Sequence, residues 1–396
     1  MSKLNDLIKE LCPDGVEYKP LDSFATIVRG NGLQKKDFTE DGVGCIHYGQ
    51  IYTYYGTYAY ETKSKVSVEL AETLKKVETG DLVVAVTSEN IEDVCKCVAW
   101  LGEETIVTGG HAAIIKHKQN SKYLAYYFQT EDFYKQKVKI VTGTKVMDIA
   151  PSKMGKIIIP IPPLPVQCEI VRILDNFTAL TSALTSALTA ELTAQRKRYS
   201  GLLNSLLSFE GRDAQDGVLW KKLGDAVGIK RGVRVVKAQL NEVGEYPVYQ
   251  NSLTALGNYN YFNCNANKTF LITAGAAGEI GYSYVPFWAA DDCYYFECND
   301  SGLMERYLYY ALKTRQYKLK RMVRNASVPR LGRYSIENLL IPVPSLEEQQ
   351  RIVDILDRFD KLCNDLSEGL PAEIAARQKQ YEYYRDKLLT FKEKEA

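Results

Sequence analysis

The sequence contains a long internal repeat, and this repeat limits the possible folds more than any other feature. Residues 160–209 align without a gap with residues 342–391 at an offset of 182, and 21 of the 50 aligned positions are identical. A repeat of this length and identity indicates a duplicated structural unit. The chain is therefore expected to be built twice from one plan.

Each copy of the repeat has the pattern of a Pro-containing entry followed by a long helix. Apolar residues recur at spacings of three and four, which places them along one stripe of an α-helix. A helix over residues 167–209 would be roughly 65 Å long. It needs a partner to bury its stripe, so we predict that the two copies pack against each other as a two-helix coiled coil. The stripe residues expected to form this packing are Ile173, Phe177, Leu180, Leu184, Leu188, Leu192, Ile355, Phe359, Leu362 and Leu366.

The two copies differ at one point. The second carries Gly369 and Pro371 where the first carries Ala187 and Thr189. Proline in a helix interior removes a hydrogen bond and clashes with the preceding turn. We therefore predict a bend or break in the second helix near Pro371.

A shorter repeat precedes the two helices. At an offset of 202, residues 14–16 (DGV) match residues 216–218, and residues 29–30 (RG) match residues 231–232. The segments between are rich in β-branched and aromatic residues with Gly at intervals, which favours strands, while residues 121–139 and 304–323 have helical patterns. We predict an α/β protein of two modules with mixed sheets, divided as 1–159, 160–213, 214–341 and 342–396.

The 28 tyrosines are concentrated in these modules. Five of them alternate as in a strand, which predicts that some are exposed: Tyr52, Tyr54, Tyr55, Tyr58 and Tyr60. Aromatic side chains beside basic residues contact nucleic acid or protein partners, but they also fill cores. For any single tyrosine both roles stay open.

The formal net charge of +1 does not indicate what kind of partner the chain binds, but the distribution of charge along the sequence does. Residues 313–333 carry eight Lys and Arg and no acidic residue. Such a basic segment can hold phosphate while other faces serve other partners. An ordinary solvated helix face is the alternative interpretation.

The nine cysteines include one close pair, Cys95 and Cys97, and only three histidines are present. These numbers favour reduced thiols in the cytoplasm over a disulfide framework or a zinc site. Residues 1–11 resemble a charged amphipathic helix rather than a signal peptide, and no apolar run is long enough to cross a bilayer.

Motifs for catalysis are missing from the sequence. The glycine-rich segment 275–281 lacks the Lys-Ser/Thr of a phosphate-binding loop, and neither an amino-methyltransferase tetrapeptide nor a GxSxG motif occurs. Asp41, Glu61 and Lys63 form a possible nuclease set, which is the main alternative. His111 has no assignable carboxylate partner and is expected to be structural or to contact phosphate. The pattern favours a reader or scaffold over a catalyst.

Two modules that each end in P-x-P-x-L-x-x-Q-x-x-I-V-x-I-L-D-x-F, at residues 160–177 and 342–359, resemble the DNA-specificity subunit of type I restriction-modification enzymes. The resemblance covers essentially the whole chain. It implies that each module is a target recognition domain reading one half of a split double-stranded DNA site. It also implies that the two long helices pair as an antiparallel coiled-coil spacer between the modules.

The resemblance also implies partners. Two modification (methyltransferase) subunits would bring S-adenosylmethionine, and restriction (translocase/nuclease) subunits would use ATP and Mg. This chain itself would hold no catalytic site, cofactor or metal. A specificity subunit of another restriction type, or an orphan retained for regulation, remains open.

The first helix repeats TSAL, TSAL, TAEL over residues 181–192. Adding or removing one unit would change the helix length by about 6 Å and its rotation by about 40°. These changes are close to one or two base-pair rises, so the repeat number is predicted to set the gap between half-sites. A purely stabilising role is the alternative.

Base reading favours Arg, Lys, Asn and Gln, and phosphate contact favours Lys, Arg, Ser and Thr. In the first module the predicted DNA-binding residues are Asn31, Gln34, Lys35, Lys36, Gln50, Tyr52, Thr142, Thr144 and Lys145. In the second module they are Arg231, Arg234, Asn251, Lys320, Arg324, Asn325 and Arg330.

Overall fold

The computed structural model describes residues 2–209, 211, 217–241, 244–298, 302–324, 327–365 and 368–395. The chain divides into two compact units, one of Met1–Ser186 with Ala375–Ala396 and one of Ala187–Ile374. Each unit contains one of the predicted modules and segments of both long helical regions. No helix in the described ranges is long and apolar enough to cross a membrane.

The module of the first unit alternates short strands and short helices. In chain order its elements are α1 (Ser2–Leu11), β1 (Tyr18–Pro20), β2 (Ala25–Arg29), β3 (Phe38–Thr39), β4 (Val43–Ile46), α2 (Tyr48–Thr53), β5 (Tyr58–Ala59), β6 (Ser64–Val66), α3 (Val68–Thr73), β7 (Lys75–Val77), β8 (Leu82–Ala85), β9 (Thr87–Ser88), β10 (Cys97–Trp100), β11 (Ile106–Thr108), β12 (Ala112–His117), α4 (Ser121–Tyr127), α5 (Glu131–Val138), β13 (Met147–Asp148), α6 (Pro151–Met154) and β14 (Ile158–Pro160).

Two five-stranded sheets form the framework of this unit, in the orders β2-β12-β8-β10-β5 and β3-β6-β4-β11-β7. The pairs β10–β5 and β11–β4 are parallel and the other pairs in these two sheets are antiparallel. Strands β8 and β10 are buried along their whole length, as their continuous apolar sequences require. The prediction of a mixed α/β module is confirmed.

The long helix α7 (Leu164–Leu207) continues from this module into the second unit. The following elements are β15 (Leu219–Lys222), α8 (Leu223–Ala226), β16 (Gly228–Arg231), β17 (Tyr246–Tyr249), β18 (Gly257–Tyr259), β19 (Lys268–Ile272), β20 (Ile280–Ser283), β21 (Trp288–Ala289), β22 (Cys293–Glu297), α9 (Glu305–Arg321), α10 (Arg333–Glu337), β23 (Leu340–Val343), α11 (Leu346–Asn364) and α12 (Leu370–Leu388). The sheets of the second unit have the orders β16-β22-β19-β20, β18-β17-β21 and β15-β23.

A buried glutamine fixes the first turns of each long helix to its module. The Gln167 Oε1 accepts from the Asn120 N–H at 3.0 Å, and the Gln167 Nε2 donates to the Pro162 carbonyl at 2.7 Å. Gln349 repeats both main-chain bonds in the second unit, at 2.8 and 2.9 Å. An amide offers the donor and the acceptor that this junction needs, which explains the glutamine in both copies of the motif.

An acidic residue two turns further along each helix holds the module's own helix. In the first unit Asp175 accepts from Lys122 and from the Tyr126 hydroxyl, each at 2.8 Å. In the second unit Asp357 occupies the repeated position and accepts from Arg306 at 2.7 Å. The Asp of the ILD motif is therefore a structural anchor in both units.

One local prediction was wrong. The segment containing Tyr52 is not a strand, because residues 48–53 form α2, whose N-cap His47 accepts from the Gly49 N–H through its ring. The helical pattern of residues 121–139 is confirmed, and it is divided into two helices because Thr130 caps the second by accepting from the Phe133 N–H.

The predicted break near Pro371 is present. Helix α11 ends at Asn364 and α12 begins at Leu370, so Pro371 lies in the first turn of α12. Its missing N–H costs no helical hydrogen bond at that position.

The side of the first long helix that is covered differs from the predicted stripe. Ile173 is buried and Leu188 and Leu192 are half-buried, but Leu180 is 70% exposed, and Phe177 and Leu184 are exposed as well. Leucines spaced by four residues drift by about 40° per step around an α-helix, so they cannot stay on one side. In the first unit the covered positions are Val171, Leu174, Thr178, Thr181 and Thr185.

The second copy shows the same offset. Ile355 and Phe359 are half-buried and Leu362 is 38% exposed, whereas the covered positions one residue away are buried. Leu366 lies outside the described residues. The covered positions in α11 are Ile352, Val353, Leu356 and Cys363.

Each unit contains a contact between α7 and one of the last two helices, and the contact is antiparallel in the first unit. In the first unit, Phe177 contacts Tyr384 at 5.8 Å between ring centroids, and Thr178 Oγ1 lies 2.9 Å from the Tyr381 hydroxyl. Later residues of α7 thus meet earlier residues of α12. In the second unit, Arg196 of α7 donates to the Cys363 carbonyl of α11 at 3.4 Å.

Candidate nucleic-acid interface

Three loop segments meet at one edge of the first unit, which we call the first loop edge. They are the loop after β2 (residues 30–36), the loop between β11 and β12 (109–111) and the hairpin 142–148. Arg29 joins them, because its Nε donates to the middle carbonyl of the second loop at 3.1 Å and its Nη2 pairs with Asp148 at 2.7 Å.

Two glycines allow the first two loops to approach. A Cβ on Gly30 would lie 2.3 Å from the Gly109 carbonyl oxygen, and a Cβ on Gly109 would lie 2.7 Å from the Leu33 Cβ. No side chain fits at either contact without a shift of the backbone. The Arg-Gly pair that marked the repeat in the sequence therefore builds this edge.

Most of the predicted DNA-binding residues of the first module lie on this edge. The Asn31 side chain donates to the Thr73 carbonyl at 2.9 Å, which holds the first loop. The ends of the hairpin exchange two main-chain hydrogen bonds between Thr142 and Asp148. The exposed predicted residues brought together are Asn31, Gln34, Lys35, Lys36, Thr142, Thr144 and Lys145.

Gln50 and Tyr52 have internal roles instead. Gln50 is nearly buried, and its side chain accepts from the His47 N–H and donates to the Ser64 hydroxyl. The Tyr52 hydroxyl donates to the Thr87 carbonyl at 2.5 Å, and its half-buried ring packs against the core. The structure gives both polar groups partners within the unit, so neither is oriented for DNA.

A groove of about 400 Å³ opens between the first two loops. Tyr48 lies in it between two imidazoles, with ring centroids 4.5 Å from His47 and 4.8 Å from His111. The groove is lined by Gly32, Leu33, Gln34, Lys35, His47, Tyr48, Gly110 and His111.

His47 is only 5% exposed. Burial lowers its pKa, and the positive charges of Lys35 and His111 add to the effect. Its Nδ1 accepts from the Gly49 N–H at 3.2 Å, so the neutral ring carries its proton on Nε2. On the opposite wall, His111 Nδ1 lies 2.9 Å from the Thr87 hydroxyl.

The second unit has a corresponding edge, the second loop edge, formed by residues 232–238, residues 289–292 and the paired residues Arg324 and Arg330. Arg231 Nε donates to the Asp291 carbonyl at 3.1 Å, as Arg29 does in the first unit. Arg324 and Arg330 exchange main-chain hydrogen bonds of 2.9 and 3.2 Å.

The predicted residues of the second module are placed unequally. Arg234, Arg324 and Arg330 are exposed on the second loop edge, and Arg231 is exposed where the edge begins. Lys320 forms an ion pair with Glu279 at 2.5 Å. The predicted residue Asn325 lies outside the described residues.

Asn251 belongs to the same edge. It is exposed, and its carbonyl accepts from the Ala276 N–H at 2.9 Å. The neighbouring Gly275 donates to the Pro329 carbonyl at 3.2 Å, which connects Asn251 to the segment that bears Arg330.

Strand register gives the correspondence between the two edges. Strands β4 and β11 pair in parallel in the first unit, as β17 and β21 do in the second. The equivalent pairs are Ile46 with Tyr249, His47 with Gln250, Tyr48 with Asn251, Gly110 with Asp291 and His111 with Asp292.

The structure places two residues in the groove of the first loop edge that are not among the residues predicted from sequence, His47 and Tyr48. Asn251 is among the predicted residues of the second module, and Tyr48 is its counterpart in the first. The signal that identifies Tyr48 is strand pairing, since the interiors of the modules share too little sequence to be aligned directly.

The possible nuclease set does not assemble into a metal site. Asp41 is fully exposed and its nearest cation is Lys65, at 3.9 Å, while Lys63 lies over the Tyr54 ring. Within the described ranges, no group of three or more His, Cys, Asp and Glu residues is arranged to hold a metal ion. Burial also raises the pKa of Cys95 to about 12, which opposes the thiolate a metal needs.

The chain matches the family model described as "Type I restriction modification DNA specificity domain" twice, over residues 13–194 and 217–376. It is 30% identical over 397 residues to a putative type I restriction enzyme specificity subunit of Haemophilus influenzae, covering 95% of this chain and 96% of the relative. It is 34% identical over 264 residues to the EcoR124I/EcoR124II specificity subunit of Escherichia coli, covering 60% and 63% of the two chains.

Solved structures share the fold. A chain from a structure entitled "Structural basis underlying complex assembly and conformational transition of the type I R-M system" matches with a TM-score of 0.68 at 17% identity, covering 96% of this chain and 98% of the other. The S subunit from Mycoplasma genitalium matches with a TM-score of 0.53 at 17% identity, covering 95% and 96%.

Two matched domains and full-length similarity define a class of protein with two DNA-specificity domains in one chain. This chain belongs to the type I restriction-modification DNA specificity family, among its specificity (S) subunits.

Proposed function

We propose that each unit of this specificity subunit reads one half of a split site in double-stranded DNA through its loop edge. The domains proposed for this task are residues 1–159 and 214–341, and residues 160–213 and 342–396 form the helical regions between them. Because its target is cellular or invading DNA, we expect the subunit to work in the cytoplasm.

The duplication of the loop edge is the observation that supports this proposal most directly. Arg29 and Arg231 make the same contact to a neighbouring loop in both units, and a paired segment lies beside it each time. The framework is the same, but the exposed side chains differ. Such a design suits two readers of different base sequences, since phosphate contacts position the protein and base contacts specify the sequence.

The long helices are proposed to set the distance between the half-sites. The TSAL repeats lie in α7, where Thr181 and Thr185 are half-buried. Insertion of four residues would lengthen the helix by about 6 Å and rotate it by about 40°. We expect such an insertion to increase the gap between the recognised half-sites by one or two base pairs.

Exposed apolar residues on the helices are proposed to receive the modification subunits. Phe177, Leu180 and Leu184 form an exposed stripe on α7, and Leu362 is exposed at the repeated position of α11. Exposed apolar patches mark interaction sites. An exposed leucine at the repeated position in each unit, Leu180 and Leu362, suits two copies of one partner.

We propose that this chain is not itself a catalyst. S-adenosylmethionine would be bound by the modification subunits, and ATP and Mg by restriction subunits that join the complex. The free-standing nuclease is the disfavoured alternative, because Asp41 is fully exposed and pairs with Lys65, while Lys63 lies over the Tyr54 ring. Cleavage of DNA by the purified chain with divalent metal alone would overturn the proposal.

Methylome sequencing tests the main proposal. Cells that express this chain with its modification subunit are expected to methylate a split motif, with both half-sites and their spacing visible in one experiment. A continuous motif would contradict two readers. A variant with one additional TSAL unit should keep both half-sites and change only the gap.

A further inference from the structure

We propose that the groove in the first loop edge is a phosphate site that holds one phosphodiester of the DNA backbone, and that the second loop edge has no equivalent site. This inference deepens the proposed function and rests on it. The groove is the one lined by Lys35, His47, Tyr48 and His111.

The lining has the composition of an anion site. None of the eight lining residues is acidic, whereas Lys35, Gln34, His47 and His111 all carry nitrogen donors. Within the part of the chain that the structure describes, Lys35 forms no ion pair, so its charge is not neutralised by a carboxylate. Main-chain groups of Gly32 and Gly110 also line the groove and leave room for close approach.

His47 gives a second, independent indication. It is nine-tenths buried and lines the groove, and its proton is fixed on Nε2 because Nδ1 accepts from the Gly49 N–H. Among the described residues, none accepts a hydrogen bond from this Nε2–H. The Nε2–H is not sealed off from the groove, so a ligand or a water molecule can supply its acceptor. A phosphate oxygen in the groove would accept this hydrogen bond.

The shape of the groove favours the DNA backbone over base edges. A concave surface receives a ridge, and on duplex DNA the ridges are the phosphate backbones, whereas base edges lie inside grooves that a protrusion must enter. The hairpin 142–148 is such a protrusion and lies on the same edge. Phosphate held in the groove would therefore position the hairpin.

The second loop edge has the opposite charge at the equivalent positions. Asp291 and Asp292 replace Gly110 and His111, and Gln250 replaces His47. The Asp291 Oδ1 is buried without a hydrogen-bond partner among the described residues, so it adds acceptor character where a phosphate would need donors. Two carboxylates would repel a phosphate at this place.

The experiment uses full-length protein and duplex DNA in which each phosphate of both half-sites is replaced in turn by a neutral methylphosphonate. We expect one replacement in the first half-site to weaken binding of the wild-type protein by roughly tenfold or more. Lys35→Gln should weaken binding of unmodified DNA similarly and lower the salt slope by about 0.9. When that same phosphate is replaced by a methylphosphonate, Lys35→Gln should lose little further affinity, because the contact is already missing.

The adjacent Lys36 provides the matched control, because it is an exposed lysine that does not line the groove. The effects of Lys36→Gln and of the methylphosphonate at this position should multiply. If the effects of Lys35→Gln also multiply with every replacement, the groove does not hold a phosphodiester.

A competition experiment with inorganic phosphate shows whether the groove binds a phosphodiester of DNA or a free phosphate ion. It should compete with DNA at the groove only weakly, and with Lys35→Gln it should not compete beyond the general effect of salt. Tight binding of inorganic phosphate without any effect of methylphosphonates would assign the groove to a free anion and overturn the proposal. Absence of any sequence-dependent DNA binding would instead contradict the proposed function itself.

Discussion

The two loop edges share a framework and differ in chemistry. In both, an arginine at the end of a strand donates to the neighbouring loop, and a glycine follows it. In the first edge the facing loop is Thr-Gly-Gly-His, and in the second it is Ala-Ala-Asp-Asp. The main chain therefore determines where the edge lies in each unit, while the side chains that it presents differ.

The largest effect is expected from the glycines of the framework. A Cβ on Gly30 would lie 2.3 Å from the Gly109 carbonyl oxygen, and one on Gly232 would lie 2.1 Å from the Ala290 carbonyl oxygen. Gly30→Ala should lower DNA affinity about 100-fold, because displacing a backbone loop costs about 3 kcal/mol. Binding is measured with probes mismatched in one half-site at a time.

Gly30→Ala should lose discrimination between matched and mismatched DNA only in the half-site read by the first unit, and Gly232→Ala only in the half-site read by the second. Gly56→Ala is the control, because a Cβ there meets nothing within 4 Å. Equal loss for both half-sites in Gly30→Ala would mean that the first loop edge does not read DNA separately.

The next effect concerns the anchors of the modules. Arg306 is 10% exposed and pairs with Asp357 and Asp360, whereas Lys122 pairs with Asp175 alone. Arg306→Ala should lower the free energy of opening of α9 by about 3 kcal/mol, because it leaves two carboxylates without their cation. Lys122→Ala should lower that of α4 by about 1 kcal/mol.

Hydrogen exchange measures the two opening free energies separately. Arg351→Ala removes an exposed pair with Glu348 and should change exchange by less than about 0.5 kcal/mol. Similar effects of Arg306→Ala and Lys122→Ala would show that the two anchors are equivalent despite their different partners.

A third comparison concerns the exposed stripes. Leu180 is 70% exposed and Leu362 38% exposed at repeated positions. Leu180→Glu should weaken assembly with the modification subunit about tenfold, since a charge replaces an apolar contact. Ser182→Glu, an exposed position on another side of α7, is the control. Analytical ultracentrifugation of the mixed subunits would show assembly, and unchanged assembly of Leu180→Glu would exclude this stripe.

A fourth prediction concerns Arg324, which is replaced by the residue found at the corresponding position of the first loop edge. Arg324 occupies in the second edge the paired position that Thr142 occupies in the first. Arg324→Thr should weaken binding by roughly tenfold. A salt slope lower by about 1 would assign Arg324 to phosphate, and relaxed specificity at one base pair would assign it to a base. An unchanged slope with unchanged specificity would remove Arg324 from the interface.

The elements that follow from the repeat could be predicted from sequence. The long helix, the mixed modules and the break at Pro371 depend on periodicity and on proline chemistry, which are local properties. The covered side of the helix could not be predicted from leucine positions, because threonines such as Thr178 fill it. Tyr48 was missed because strand pairing, not sequence spacing, makes it equivalent to Asn251.

The smallest expected effect is a pH dependence of DNA binding that comes from His47 in the first loop edge and has no counterpart in the second. Burial, with Lys35 and His111, lowers the pKa of His47 in the free protein. Unfolding restores a value of roughly 6.5, so the unfolded chain binds the proton more readily, and this histidine reduces stability as the pH falls below that value.

A phosphate in the groove should act in the opposite direction. Its negative charge stabilises the imidazolium and raises the pKa of His47 in the complex, so DNA affinity should increase severalfold as the pH falls from 8 to 6. The groups that face His47 besides the phosphate are Lys35, Tyr48, Phe38 and His111. His47→Asn keeps an acceptor for the Gly49 N–H and removes the titration. The increase should therefore disappear in His47→Asn and persist in Asn251→Ala. An increase that persists in His47→Asn would assign the pH dependence to another group.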